Sequence, residues 1–370
     1  MVAYHLAEAG VSTAVLDRRD VGLGSTSAST ALVLYEVDVL LSDLIKIRGE
    51  GAAVRSYEAC LEAISKVERI VKQVGDCGFA RKKSLYVAPS EKKAAVLREE
   101  YEVRRRHGFQ LEYLDRPQIE ESFSFRRPGA LLSYDAAEVD PLLLTHRLLD
   151  YQLRRGAVQV RDRTAATRIA RVDGGVVIKT DRGFDVTARK VVFATGYETM
   201  RYLREKVVRL KSTYAIATQP TPPFGGWGHD RCLIWEAATP YLYLRTTSDG
   251  RIMVGGEDED FVNPTSRDRI IHSKARALLS KVRRMFPEAQ LEVEYAWAGT
   301  FGETEDSLPY VGEVKGFPNA YFALCYGANG TNFAVIAAEI IRDLYLNKSN
   351  PDAEVFGFDR RIESARRGGR

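Results

Sequence analysis

The sequence predicts an α/β fold in which a parallel-sheet domain, joined partway through its first repeat, is interleaved with an antiparallel-sheet domain. Three observations predict it. Residues 1–17 read helix, glycine, strand, acid. Two later apolar runs, around Val158 and Val191, have the length and β-branched character of buried parallel strands. Aromatic, alternating segments fill the two intervals between the parallel parts.

With 370 residues, 45% of them hydrophobic and 28% charged, the chain can bury a large core and has the length of two domains. Lys and Arg number 54 against 50 Asp and Glu, a +4 balance too small to draw nucleic acid or lipid. Neither partner is expected. Cys60, Cys77, Cys232 and Cys325 are scattered without a CxxC pair, and the five histidines have no short ligand spacing, so no metal is assigned and a reducing, cytoplasmic setting is expected. No apolar run approaches the ~20 residues that span a bilayer, and no signal peptide is evident. The basic end with Arg366, Arg367 and Arg370 reads as a frayed, solvated tail.

Met1–Gly10 places Val2, Leu6 and Ala9 on one helical face and ends on a glycine stop. Val11–Asp17 follows as a short strand ending in an acid. This is half of a βαβ unit. In a dinucleotide-binding unit that acid accepts hydrogen bonds from a ribose diol, and a glycine loop ahead of the helix holds a pyrophosphate. Asp17 stands at the acid's position; alternatively it is an ordinary strand end. The first strand and GxGxxG loop are missing from the reading, through truncation, a misassigned start or true absence. Gly22–Thr30, GLGSTSAST, can turn hydroxyls and N–H groups toward a phosphate or serve as a flexible loop.

The segment 137–169 predicts a helix capped by Asp140 with Pro141 at its first position, apolar from Leu142 to Leu153 and closed by Gly156, with a strand after it. In Thr187–Thr199 a strand, Val191–Ala194, runs into Thr195 and Gly196, where a glycine permits close approach of a ligand or makes a simple turn. Near the end, Ala320–Cys325 predicts a strand, Gly327–Gly330 a tight loop and Phe333–Leu346 an apolar helix.

In this order the four blocks resemble the FAD-dependent family of D-amino-acid oxidase, glycine oxidase and monomeric sarcosine oxidase. The resemblance implies a discontinuous FAD-binding Rossmann-like domain over 1–80, 138–205 and 297–350, an antiparallel substrate domain over 81–137 and 206–296, and a C-terminal tail over 351–370. It implies that Ser25, Thr26, Ser27 and Ser29 run along the FAD, as do Thr195 and Gly196. The runs Val158–Val160 and Thr164–Ile169 resemble the strand passing the adenine. Gly327, Asn329, Gly330 and Thr331 are implied as flavin contacts, with a helix N-terminus stabilising negative charge on the reduced ring.

Within the middle domain, Asp249 and Gly250 predict a hairpin turn. Tyr241, Tyr243 and Arg245 alternate along a strand, either offering an aromatic wall and a carboxylate partner or lying on a half-exposed sheet with a solvated arginine. The family's arginine-proline pair before the Thr-x-Asp segment is absent, and Phe301 or a neighbour takes the arginine's place. A carboxylate must then be held elsewhere, by Arg245 for instance, or the substrate is an amine with its charge elsewhere. No cysteine lies between Cys232 and Cys325, so noncovalent FAD is expected.

The resemblance implies oxidation of a C–N bond in an amino acid or amine by hydride transfer to flavin N5, the imine then hydrolysing and dioxygen or another acceptor reoxidising the flavin. Tyr243, Arg245, Trp297 and Phe301 are the expected substrate-orienting residues; no catalytic acid or base is named. The rival expectation is a flavin-free remnant or partner-binding homologue. On that view this chain has little flavin absorbance, whereas a form extended to include the glycine loop is yellow. An NAD-dependent dehydrogenase is disfavoured by the loop at Gly327–Thr331.

Overall fold

The computed structural model describes residues 1–360 and 362, apart from 204, 205, 239, 325, 326 and 328. The opening helix spans Val2–Glu8, and Gly10, at φ 77°, turns the chain into the strand Thr13–Leu16. That strand pairs in parallel with Val158–Arg161, Thr13 opposite Val158. Between them in sequence comes the helix Pro141–Arg154, whose first turn is closed by Asp140 accepting from the Leu143 amide at 2.9 Å. Further on, Val191–Phe193 pairs in parallel with Ala320–Leu324, which also carries Tyr310–Glu313 on its other edge. The parallel strands therefore form two separate sheets. Among the described residues Thr13–Leu16 and Val191–Phe193 have one strand partner each.

The expected strand at Thr164–Ile169 is corrected. Arg163 sits at φ 44°, and the Arg163 and Thr164 amides donate to the carbonyls of Arg19 and Asp17, so the chain turns there. The next strand, Ala166–Val172, instead opens an antiparallel meander with Gly175–Thr180 and Asp185–Ala188.

A nine-stranded sheet carries the middle of the molecule. Its order is Val293–Glu303, Arg209–Thr218, Ile252–Glu259, Leu242–Thr246, Leu233–Glu236, Ala80–Val87, Gly129–Glu138, Leu32–Leu34, with Leu111–Asp115 also paired to Gly129–Glu138. The turn at Asp249 and Gly250 joins two antiparallel strands, Thr246 opposite Ile252. All pairings are antiparallel except Ala80–Val87 with Leu233–Glu236. Alternation divides the faces. Ile216, Leu244 and Val254 pack under the helix Ile271–Met285 with Leu278 and Val282, while Tyr243, Arg245 and Trp297 point the other way.

Two expected boundaries move. Val293–Glu303 is one strand, with Glu303 still opposite Arg209, so the sheet ends there and not at 296. Leu32–Leu34 joins the same sheet from within the first 80 residues. The tail expected over 351–370 is also corrected for its described part. Asp352–Phe356 is helical, Phe356 is fully buried, and the Arg360 guanidinium donates to both oxygens of buried Asp306, at 2.8 and 3.0 Å. Arg48 reaches the same carboxylate at 2.5 Å. Arg366, Arg367 and Arg370 lie outside the described residues. No helix among the described residues is long and apolar enough to cross a membrane.

Candidate functional site

The end of Thr13–Leu16, the segment after Val191–Phe193 and the loop Gly22–Thr30 meet through their side chains, and the loop's exit is tied to the nine-stranded sheet, so together they border a seam between that sheet and the parallel strands. Asp17 follows its strand directly, and one carboxylate oxygen accepts from the Arg19 amide at 2.9 Å, an Asx turn that fixes the side chain. Next to it, Arg18 forms an ion pair with Glu198, which belongs to the 3-10 segment Gly196–Tyr202 following Thr195. Tyr197 lies against Ser25. Asp17, Gly196 and the serine-rich loop are thereby brought together.

The loop itself forms one short helical turn, Ser25–Ala28. Its exit is held to the large sheet by two side chains donating to backbone carbonyls. The Trp297 indole N–H donates to Ala28 at 2.9 Å, and Arg245 Nε donates to Thr30 at 2.6 Å. Gly299 lies against the same turn, the position of a Cβ there being 3.8 Å from that of Ala28, an ordinary contact distance. Trp297 and Gly299 share a face, and Phe301 follows by alternation.

Arg245 is the main correction among the expected site residues. It is 7% exposed, neither solvated nor available as a carboxylate clamp. Nη1 donates to the Thr246 carbonyl at 3.0 Å and stands 3.5 Å from a Glu138 oxygen, and burial lowers its pKa. Glu138 is itself held above the usual carboxylate range by burial. The pair belongs to the wall, not to a substrate.

Tyr243 lies across Gly255, where a Cβ would meet its ring at 2.2 Å, so only glycine permits this seat. Burial pushes its phenol up to about 12, which keeps the O–H a donor at any ordinary pH. Tyr241 neighbours it at 6.0 Å between centroids, and Trp235 stacks on Tyr86 at 3.7 Å nearby in the same sheet. Asp258, close to Tyr241 and Tyr243, is raised by burial, and its Oδ1 is buried without a hydrogen-bond partner.

Beside Val191–Phe193, Ala320–Leu324 leads to Gly327, at φ 89°, and the helix Gly330–Tyr345. No acid occupies that helix's first turn, so its partial positive end is uncompensated by its own side chains. Asn329, expected as a cofactor contact, turns its amide to the strap 35–40 that follows Leu32–Leu34, donating to Leu34 and Glu36 carbonyls at 3.1 and 2.6 Å. Asn332 adds a bond to Leu34 at 2.8 Å. Gly327, Gly330 and Thr331 are half-buried.

Sequence reading missed the strap. Under it Arg104, fully buried, joins Glu100 at 2.6 Å and Glu36 at 3.3 Å; Glu100 accepts from the Leu41 and Ser42 amides, and Ser133 donates to Glu36 at 2.5 Å. The signal was two acids, Glu36 and Asp38, inside an otherwise apolar run.

FAD fits this donor set. A Cβ at Gly196 or Gly330 would meet nothing within 4 Å, so both backbones border open space, and Asp17 offers an acceptor at a parallel-strand end. Among the described residues there is no group of His, Cys, Asp and Glu arranged to hold a metal ion.

Comparison with known proteins points the same way. A family model described as FAD dependent oxidoreductase matches residues 1–344. Gamma-glutamylputrescine oxidoreductase of Escherichia coli (strain K12) is 28% identical over 361 residues, covering 92% of this chain and 80% of that protein. One subunit of the opine oxidase of Agrobacterium tumefaciens (strain Ach5) is 26% identical, over 92% of this chain and 89% of its own. Glycine oxidase from Geobacillus kaustophilus superimposes with a TM-score of 0.80 at 20% identity, covering 98% of this chain and 95% of that one, a likeness of fold.

Proposed function

The chain belongs to the family of FAD-dependent oxidoreductases, and from that premise we propose that it oxidises a C–N bond in an amine or amino acid. The named substrates of its relatives, a glutamylated diamine and an opine, are secondary or primary amines of that class. FAD, when bound, supplies the two-electron acceptor for hydride leaving the carbon beside nitrogen, and the resulting imine hydrolyses in water.

The protein's own residues hold and orient. Asp17 accepts from the ribose; Ser25, Thr26, Ser27 and Ser29 border the phosphates; Thr195, Gly196, Gly327, Gly330 and Thr331 admit the cofactor close to backbone. Asn329 acts one step back, by fixing the strap. Tyr243, Trp297 and Phe301 present an aromatic face to the substrate and exclude water from it. A substrate amine that arrives deprotonated needs no strong base, and dioxygen or another acceptor completes the cycle. FAD held without a covalent bond completes the proposal.

The observation that carries this reading is the convergence of Asp17, Gly196 and the serine loop on one seam, through Arg18 with Glu198 and Tyr197 with Ser25. The test is a titration of the purified chain with FAD followed by anaerobic addition of amines. Bleaching of the flavin band by amines, and not by matched hydroxy acids, supports it; a flavin-bound protein that bleaches with hydroxy acids alone refutes it. A second reading, a flavin-free form, draws on the division of the parallel strands into two sheets. Absence of any flavin spectral change at saturating FAD selects it.

A further inference from the structure

After the strand Val293–Glu303 the chain makes one tight turn, over 304–309, before the strand Tyr310–Glu313 begins. The turn starts next to the serine-rich loop, for the Tyr197 hydroxyl that lies against Ser25 is also hydrogen-bonded to the Gly302 backbone. It passes beside Gly327, with the Ser307 carbonyl 3.9 Å from where a Gly327 Cβ would be. One short stretch therefore runs from Ser25 to Gly327.

Its shape is costly. Ser307 stands at φ 56°, in the left-handed region that residues other than glycine avoid. Asp306, fully buried, closes the turn by accepting from the Leu308 amide at 3.2 Å, and the Thr304 hydroxyl donates to the Leu308 carbonyl at 2.9 Å. Arg360 grips the turn from behind. Its Nε and Nη2 donate to the two Asp306 oxygens at 3.0 and 2.8 Å, Nη2 also to the Leu308 carbonyl at 2.9 Å, and Nη1 to the carbonyls of Pro309 and Phe356. The guanidinium lies 3.5 Å from the centre of the Tyr310 ring. Arg48 donates to the same carboxylate at 2.5 Å and to the Val355 carbonyl at 2.9 Å, and neither arginine side chain is exposed by more than 3%. A buried ionic group of this kind is a poor source of stability, and its best-attested use is to fix a position. What it fixes is the left-handed turn. Arg360 lies beyond residues 1–344, the part matched to the family, and nothing in that match accounts for its grip.

Resting on the reading of Ser25 and Gly327 as FAD contacts, we propose that Arg360, acting through Asp306, is a positioning residue for FAD. The C-terminal segment clasps the turn at Ser307 and so keeps the Gly327 loop in the shape that receives the cofactor. Without the clasp the turn relaxes to ordinary φ, and FAD must restore the strained shape out of its own binding energy. The strain of one residue at positive φ is enough to weaken binding about tenfold.

The test is a titration of the full chain with FAD, followed by quenching of flavin fluorescence, for wild type, Arg360→Gln, Arg360→Lys and Leu278→Ala. Leu278, fully buried between the helix Ile271–Met285 and the nine-stranded sheet, makes none of the clasp's bonds and supplies a comparable loss of melting temperature. Arg360→Gln should weaken FAD about tenfold at a temperature where circular dichroism shows it folded. Arg360→Lys should fall between it and wild type, since lysine keeps the charge without the two-pronged grip, and Leu278→Ala should bind as wild type does. Hydrogen exchange at Ser307 and Leu308 should quicken in flavin-free Arg360→Gln and return toward the wild-type rate when FAD is added. Binding by Arg360→Gln within about twofold of wild type overturns the proposal, as does an equal loss in Leu278→Ala. If Arg360→Gln does not fold, Arg360→Lys decides, and wild-type affinity in that variant overturns the clasp. No binding by wild type refutes the FAD contacts and the clasp together, whereas binding that survives removal of the clasp refutes the clasp alone.

Discussion

Replacing Arg104 with Met leaves Glu36 and Glu100 buried without their cation. Arg104 is fully buried, bonded to Glu100 at 2.6 Å and near Glu36 at 3.3 Å, and its guanidinium also lies 5.4 Å from the Tyr57 ring. Removing one member of a buried ionic group costs about 3–5 kcal/mol because the remaining charge has no solvent and no partner. For 370 residues this corresponds to roughly 4–6 °C in melting temperature. The pH dependence follows from Glu36, whose pKa burial already raises in the folded protein. Loss of Arg104 raises it further, so between the unfolded and folded values the native state binds more protons and stability falls as pH increases. The deficit against wild type should therefore be smallest near pH 5 and widen toward pH 8. Urea unfolding followed by tryptophan fluorescence at both pH values measures it. A deficit under about 0.5 kcal/mol at pH 8, where surface substitutions fall, or one that is equal at both pH values, refutes the electrostatic account. The triple change Glu36→Gln, Glu100→Gln, Arg104→Met should recover part of the loss, since no net charge remains buried.

Asp306→Ala leaves Arg48 and Arg360 buried together without a counter-ion and should cost about 3–5 kcal/mol by chemical denaturation. Gly255→Ala drives a methyl into the Tyr243 ring; thermal unfolding should register about 1–3 kcal/mol of overpacking. Asp17→Asn should weaken FAD about tenfold in a fluorescence-quench titration, the equivalent of one charge-assisted hydrogen bond, with little change in melting temperature of the flavin-free chain. Trp297→Phe removes the bond to Ala28 and should lower stability by about 1 kcal/mol, with faster hydrogen exchange at Ser25–Ala28.

The parallel framework was legible because its signals are local. Gly10 after an apolar helix, Asp140 with Pro141 and the valines at 191 and 192 each act within a few residues, and each element forms within a residue or two of expectation. Long-range pairing was not legible. Whether Thr164 continued a strand depended on Arg163 meeting Arg19, and whether Arg245 faced solvent depended on Thr30 and Glu138, which lie 215 and 107 positions away. Phe356 and Arg360 looked like the start of a tail because their partners, the core around Glu50–Val74 and Asp306, are remote in sequence. Asp38 went unnoticed for a related reason. One acid in an apolar run has no periodicity, and only the fold sets it beside Gly327.

The edge strand Leu32–Leu34 has a consequence for anyone who dissects the molecule. It closes the nine-stranded sheet from the flank of Gly129–Glu138, although its neighbours in sequence serve the other half of the protein. Excising the middle segments as a separate fragment would strip that border away and leave Ala136–Glu138 without their edge partner, a short unpaired stretch open to another strand. The two halves are divisible on paper but share a hem.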